Sequence, residues 1–190
     1  MTNFINSITI ARILSAPIIL LSLIFGNYLA CIILFFLAGI TDYFDGYLAR
    51  KYNAESNLGE ILDPIADKIL IVFVLFGLSV SLNSFVIAFL SSLIIAREIG
   101  IAALRDYSSR NNISDKTKVT YLAKVKTALQ LFAIGSYLFA LAINFNLLII
   151  ISDILLIIAT LVTLYTGYQY VSNVLKKWKF LWLVVDSILF

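Results

Sequence analysis

The chain of 190 residues is 62% apolar and 13% charged, with a mean hydropathy of +1.00, whereas soluble domains are about 45–50% apolar and about 25% charged. That balance excludes an ordinary soluble domain, a disordered chain and a nucleic-acid binder with a basic face, and it points to a membrane. A single Cys and no His exclude a disulfide framework and imidazole chemistry, so acid–base work near neutral pH falls to carboxylates, Lys, Tyr or Arg-tuned groups.

At about 20 residues per span, the length predicts an all-α fold of six transmembrane helices with short connections. The apolar runs cover residues 10–25, 28–41, 69–90, 86–104, 122–143 and 147–170. Residues 2–11 mix Asn, Thr and Ser with Phe4, Ile5, Ile8 and Ile10 at helical spacing, which predicts a short interfacial helix ahead of the first span. This polar start lacks the basic region of a cleavable signal peptide. Runs two and three are too short alone. Extended into the polar stretch 42–68, they become a second helix over residues 28–51 and a third over 59–80. Small polar clusters at 26–27, 79–84 and 144–146 mark tight turns. The tail 176–190, apolar with three Lys and two Trp, reads as an interfacial segment following a single domain over 1–175.

With six spans, all 14 Lys and Arg fall on one side, and the three turns contain none. The positive-inside rule then puts both termini and the loops after the second and fourth helices in the cytoplasm. The net charge of +3 and pI near 8.9 fit the anionic lipid of that face.

Four of the 11 acidic residues, Asp42, Asp45, Asp63 and Asp67, stand at spacings i,i+3 and i,i+4 at the cytoplasmic ends of two adjacent helices. Those spacings put each pair on one helix face. Taken singly, Asp63 before Pro64 also reads as an N-cap, and Asp42 and Asp45 as a helix end in water. Taken together, four carboxylates around one volume need cations to offset their repulsion, and hard oxygen ligands select Mg²⁺, Mn²⁺ or Ca²⁺. The small residues Gly46, Ala49 and Gly59 beside them either pack helices closely or make room for a flat nucleobase or ribose. Arg50 either grips a phosphate or snorkels to the surface.

The run from Asp42 to Asp67 resembles the signature of the CDP-alcohol phosphatidyltransferases, D-x-x-D-G-x-x-A-R-x(8)-G-x-x-x-D-x-x-x-D, at every defined position. The resemblance implies a six-helix membrane enzyme, usually a homodimer, in the bacterial cytoplasmic membrane with its site facing the cytoplasm. It implies two divalent ions, Mg²⁺ or Mn²⁺, on Asp42, Asp45 and Asp63, with Asp67 as general base that also touches metal. Nucleotide contacts fall on Asp42, Gly46, Ala49, Arg50 and Gly59, with Ser56 in the loop as a further candidate. The donor is then CDP-diacylglycerol. With no Cys or His nucleophile near the acids, direct attack by the acceptor alcohol is favoured over a covalent intermediate.

A second cationic group is Arg97, Arg105, Lys124 and Lys126. Arg97 interrupts an apolar run, and an intramembrane Arg requires a partner. Glu98 is adjacent, but neighbours on a helix do not face each other, so an anionic substrate is at least as good a partner. The stretches 97–105, 124–130 and 6–12 are similar to those of bacterial family members that use sn-glycerol 3-phosphate, which implies that acceptor and a phosphate pocket at these cations. Only one of Lys124 and Lys126 is expected to face it, since they point about 200° apart on a helix. Cardiolipin synthases of the same family share part of these stretches, so a different alcohol stays open. A cation transporter is the reading from another class, and the placement of the acids at one membrane face speaks against it.

Overall fold

A computed structural model describes the backbone of residues 2–51, 57–110 and 121–189, with side chains for 6–42, 44, 51, 58, 59, 61–110 and 125–176. All the described elements are helices: α1 (Thr2–Ile24), α2 (Tyr28–Lys51), α3 (Asn57–Ser81), α4 (Phe85–Arg110), α5 (Tyr121–Ile143) and α6 (Asn146–Leu189).

Three tight turns fold these helices into hairpins, and each turn uses the same device. Gly26, Asn83 and Asn144 adopt positive φ of 73°, 46° and 53°, the left-handed cap that ends a helix. At each, two backbone bonds close the last turn: Asn27 N to Ser22 O at 2.8 Å with Gly26 N to Leu23 O at 3.1 Å, Ser84 N to Ser79 O with Asn83 N to Val80 O, both at 3.2 Å, and Phe145 N to Ala140 O at 3.0 Å with Asn144 N to Leu141 O at 3.4 Å. This is the paired pattern of a Schellman motif. All three turns fall in the cation-free polar clusters where turns were expected.

α1 packs along α2 and α3, α5 along α6, and α4 along α6, while α3–α4 and α2–α5 contacts join the two halves. The core they share includes Ile19 and Leu23 of α1, Phe35 of α2, Leu75 and Leu78 of α3, Ile94 of α4, Ile134 and Leu138 of α5, and Leu156 of α6. The outside is also apolar: Phe25, Phe85 and Phe132 are 81%, 83% and 72% exposed. A surface of that kind is costly in water and neutral in lipid. Four helices are long and apolar enough to cross a membrane within Asn6–Ile24, Phe85–Arg110, Val125–Ile143 and Asn146–Lys176, and the apolar part of α2 covers Tyr28–Asp42. The chain is thus an all-helical, multi-pass membrane protein.

One expected boundary is absent, and one expected segment is joined to the helix before it. The stretch 2–11 is not a separate helix but the start of α1, because no Gly or Pro stands before Pro17 to break it. The tail 176–190 likewise continues α6 as far as Leu189, with no Gly or Pro after Gly167.

Candidate active site

α2 runs on past Asp42 to Lys51, and α3 begins at Asn57, six residues before Asp63. Asp63 is therefore inside α3, with Pro64 inside the helix as well, and the N-cap reading of Asp63 does not hold. Three of the four signature carboxylates converge on α1. Arg12 Nη1 donates to Asp42 Oδ1 at 2.6 Å and to Asp67 Oδ1 at 3.3 Å, and Thr9 Oγ1 donates to Asp63 Oδ1 at 3.0 Å. Thr9 and Arg12, one turn apart, thus address acids from both neighbouring helices.

The Arg12 side chain is 1% exposed, while Asp42 and Asp67 are 48% and 51% exposed. A buried guanidinium fixed between half-open carboxylates offsets their repulsion and leaves each with free lone pairs facing outward. The donors are oxygens only, which fits a hard divalent cation. Among the described residues no three carboxylates come close enough together to share one ion. The side chains of Asp45, Gly46, Ala49 and Arg50 lie outside the described ones, although all four sit in the last turns of α2. Ser56 lies outside the described residues. Gly59 is buried in the first turn of α3.

The second polar cluster joins α4, α5 and α6. Arg97 Nη1 donates to Glu98 Oε1 at 3.2 Å and Nη2 donates to Thr166 Oγ1 at 2.9 Å. Lys126 Nζ donates to the same Glu98 oxygen at 2.5 Å. Of the two partners left open for Arg97, an anionic substrate or the adjacent Glu98, the structure shows Glu98. The long, flexible Arg side chain folds back to its neighbour, and Gly167 gives it room: a Cβ there would lie 2.9 Å from Arg97 Nε and 3.0 Å from its Cγ. Gln130 Nε2 donates to Thr163 Oγ1 at 2.9 Å in the next layer, and Arg105 lies over the Tyr170 ring, 5.8 Å from its centroid. Lys126 is buried; the side chain of Lys124 lies outside the described ones. The alternating run of the hairpins puts this cluster and the Asp cluster toward the same end of the bundle.

Sequence reasoning gave Thr9 and Arg12 no site role beyond the likeness of the stretch 6–12, left Glu98 as an open partner of Arg97, and missed Thr166. Arg12 carried a signal, since it is a lone cation within the apolar run 10–25 and an intramembrane charge calls for a partner.

The profile of the CDP-alcohol phosphatidyltransferase family matches residues 2–165. The chain is 42% identical over 172 residues, 88% of its length and 93% of the relative's, to the CDP-diacylglycerol–glycerol-3-phosphate 3-phosphatidyltransferase of Rickettsia felis. It is 41% identical over 174 residues, 90% and 96% of the two chains, to the protein of the same name from Rickettsia typhi. With its acidic signature gathered at one end of a six-helix bundle, and with likeness over nearly its whole length, the chain belongs to the CDP-alcohol phosphatidyltransferase family.

Proposed function

We propose that this chain transfers the phosphatidyl group of CDP-diacylglycerol to sn-glycerol 3-phosphate, giving phosphatidylglycerophosphate and CMP. The observation that carries this reading is the convergence of Asp42, Asp63 and Asp67 on Thr9 and Arg12, within the segment matched by the family profile. The names of the Rickettsia relatives support the donor and the acceptor.

Asp42, Asp45, Asp63 and Asp67 are the residues that would hold two divalent ions, Mg²⁺ or Mn²⁺. Such ions would neutralise the charge of the donor's pyrophosphate and of the CMP that leaves from it. Asp67 takes the proton of the acceptor hydroxyl, whose oxygen forms the new bond to the lipid-side phosphorus. The bond from that phosphorus to the bridging pyrophosphate oxygen breaks, and CMP leaves with that oxygen. Gly46, Ala49, Arg50, Ser56 and Gly59 hold the nucleotide. Arg97, Lys126 and Arg105, with Lys124 at the start of α5, receive the phosphate of the acceptor, a dianion that a neutral alcohol would lack. All six helices span the membrane, with both termini and this site on the cytoplasmic side of a bacterial inner membrane, and the enzyme works as a homodimer.

The test is purified protein with CDP-diacylglycerol, Mg²⁺ or Mn²⁺, and a panel of alcohols. Release of CMP only with sn-glycerol 3-phosphate is the expected result. Release with phosphatidylglycerol instead would make the protein a cardiolipin synthase, and ion flux in liposomes without CMP release would make it a transporter.

A further inference from the structure

α6 is far longer than a span needs. Its 44 residues, Asn146–Leu189, make a rod of about 66 Å at about 1.5 Å per residue, against about 30 Å of hydrocarbon in a bilayer. Its first half is packed into the bundle, where Leu156, Thr160, Thr163 and Thr166 are buried. Past Gly167 no described residue of α6 is buried, and Val171, Leu175 and Lys176 are exposed. From Val171 to Leu189 the helix runs on for about 27 Å.

The sequence of that extension is unfit for water. Residues 180–185 read Phe-Leu-Trp-Leu-Val-Val without a polar residue, Lys176, Lys177 and Lys179 stand just ahead of them around Trp178, and Asp186 is the one acid in the stretch. By helical spacing the three Lys positions fall within an arc of about 160°, and those of Trp178, Leu181, Trp182, Val185 and Leu189 within about 100° on the other side. Cationic positions opposite an apolar stripe with Trp are the pattern of a helix drawn to a lipid interface by anionic headgroups. A second copy of the chain is a poorer occupant, since two such tails would bring like charges together.

α6 is also the helix that anchors the cations of the second cluster. Arg97 donates to Thr166 at 2.9 Å, Gly167 leaves room for the stem of Arg97, and Arg105 lies over the Tyr170 ring. No Gly or Pro follows Gly167, so nothing between these contacts and the extension is built to bend. An unbroken rod lays its last turns on a membrane only by leaning or curving as a whole, and leaning shifts Thr166 and Tyr170 against α4. We propose that α6 beyond Val171 docks on the anionic surface of the cytoplasmic leaflet, and that this contact sets the lean at which Thr166 and Tyr170 hold Arg97 and Arg105 for the acceptor. The lipid contact stands apart from the phosphatidyl-transfer reading, and its effect on the acceptor rests on that reading.

Both Trp of the chain lie in this extension, so intrinsic Trp fluorescence reports it alone. The full-length protein is placed in nanodiscs of phosphatidylcholine, alone or mixed with phosphatidylserine, which is neither donor nor product of the proposed reaction. The discs carry a spin-labelled lipid with its label near the headgroup. The expected result is quenching about twofold stronger in the anionic discs, lost at high salt and in the triple variant Lys176→Gln, Lys177→Gln, Lys179→Gln. Equal quenching in both kinds of disc overturns the docking. So does shielding of the Trp from both the lipid label and aqueous iodide, which would seat the extension on protein, a second copy included.

Kinetics in the same discs read the coupling. Comparing wild type and variant in one kind of disc cancels the repulsion between an anionic surface and an anionic acceptor. In anionic discs the variant should raise the KM for glycerol 3-phosphate about fivefold, the low end of coupling between two sites, and leave that for CDP-diacylglycerol unchanged. In neutral discs variant and wild type should agree. A KM raised equally in both kinds of disc would make the Lys residues a diffuse field for the acceptor and overturn the coupling. Charge-dependent quenching without any CMP release by the wild type would sink phosphatidyl transfer and leave the lipid contact standing.

Discussion

Lys126 Nζ on α5 donates to Glu98 Oε1 on α4 at 2.5 Å, with the two side chains 11% and 19% exposed. The same oxygen accepts from Arg97, so one carboxylate holds two cations from different helices. Arg97 is anchored again on α6 by Thr166. Glu98 thus positions a pair of positive charges that would otherwise repel, and a half-buried anion is the natural counterpart to cations gathered for a phosphate.

Glu98→Ala is expected to raise the KM for glycerol 3-phosphate about tenfold or more while changing that for CDP-diacylglycerol less than twofold. A hydrogen bond to a charged group is worth about 1.5–3 kcal/mol, and about 1.36 kcal/mol is a factor of ten. Glu98→Gln keeps an acceptor oxygen and should recover much of the loss. Steady-state kinetics with each substrate varied in turn decide the matter, and an equal effect on both KM values would reduce Glu98 to a packing role.

Gly167→Ala tests the same cluster from α6. The new methyl would meet Arg97 Nε at 2.9 Å and Cγ at 3.0 Å, which is too close to both the stem and the fork of the side chain, so Arg97 must move away from Thr166. The KM for glycerol 3-phosphate should rise several-fold, in the same direction as for Arg97→Ala but to a smaller extent. Melting in detergent should change little, because the displaced partner is a side chain and not backbone. Wild-type kinetics for Gly167→Ala would mean that the contact with Thr166 does not matter for the acceptor.

Much of the bundle was legible from local pattern. The extent of α2, residues 28–51, follows from carrying a short apolar run into its acidic continuation, and the three turns follow from Gly26, Asn83 and Asn144 standing in small polar clusters. What spacing cannot reveal is a contact between elements far apart in sequence. Arg12 and Asp67 are 55 residues apart, and periodicity within α1 or α3 says nothing about which faces meet. Glu98 counted for less as a partner of Arg97 by a rule about helix neighbours that holds for Cβ directions and fails for a side chain as long as that of Arg. The break expected after residue 11 was drawn from polarity, and polarity alone does not stop a helix where no Gly or Pro stands.

The packing of α1 on α3 can be challenged at Gly77. A Cβ there would lie 2.7 Å from Leu23 Cδ1 and 3.1 Å from Leu20 Cδ1, in a core where Leu23 is 1% exposed. Overpacking of this kind costs about 1–3 kcal/mol. Gly77→Ala should therefore lower the melting temperature of the detergent-solubilised protein by several degrees with little change in either KM. An unchanged melting temperature would show that α1 and α3 lie further apart than described.

Arg12 supplies the sharpest test of the acidic site, because two effects of removing it oppose each other. In Arg12→Gln, Asp42 and Asp67 lose a charged hydrogen-bond donor that orients them, worth about 1.5–3 kcal/mol, which should weaken binding of a divalent ion. The same change removes a positive charge within 3.3 Å of both carboxylates, and two unit charges at about 4 Å interact by about 4 kcal/mol at an effective dielectric constant near 20. With Asp42 and Asp67 half exposed, solvent screens part of that second effect, yet it still outweighs the first. Mn²⁺ should accordingly bind Arg12→Gln more tightly than wild type, by about tenfold in calorimetric titration, while CMP release falls because the carboxylates are no longer held in place. Arg12→Lys retains the charge and should stay close to wild type in Mn²⁺ affinity. If Mn²⁺ binds Arg12→Gln more weakly, orientation outweighs charge, and Arg12 organises the ligands of the ion more than it competes with it.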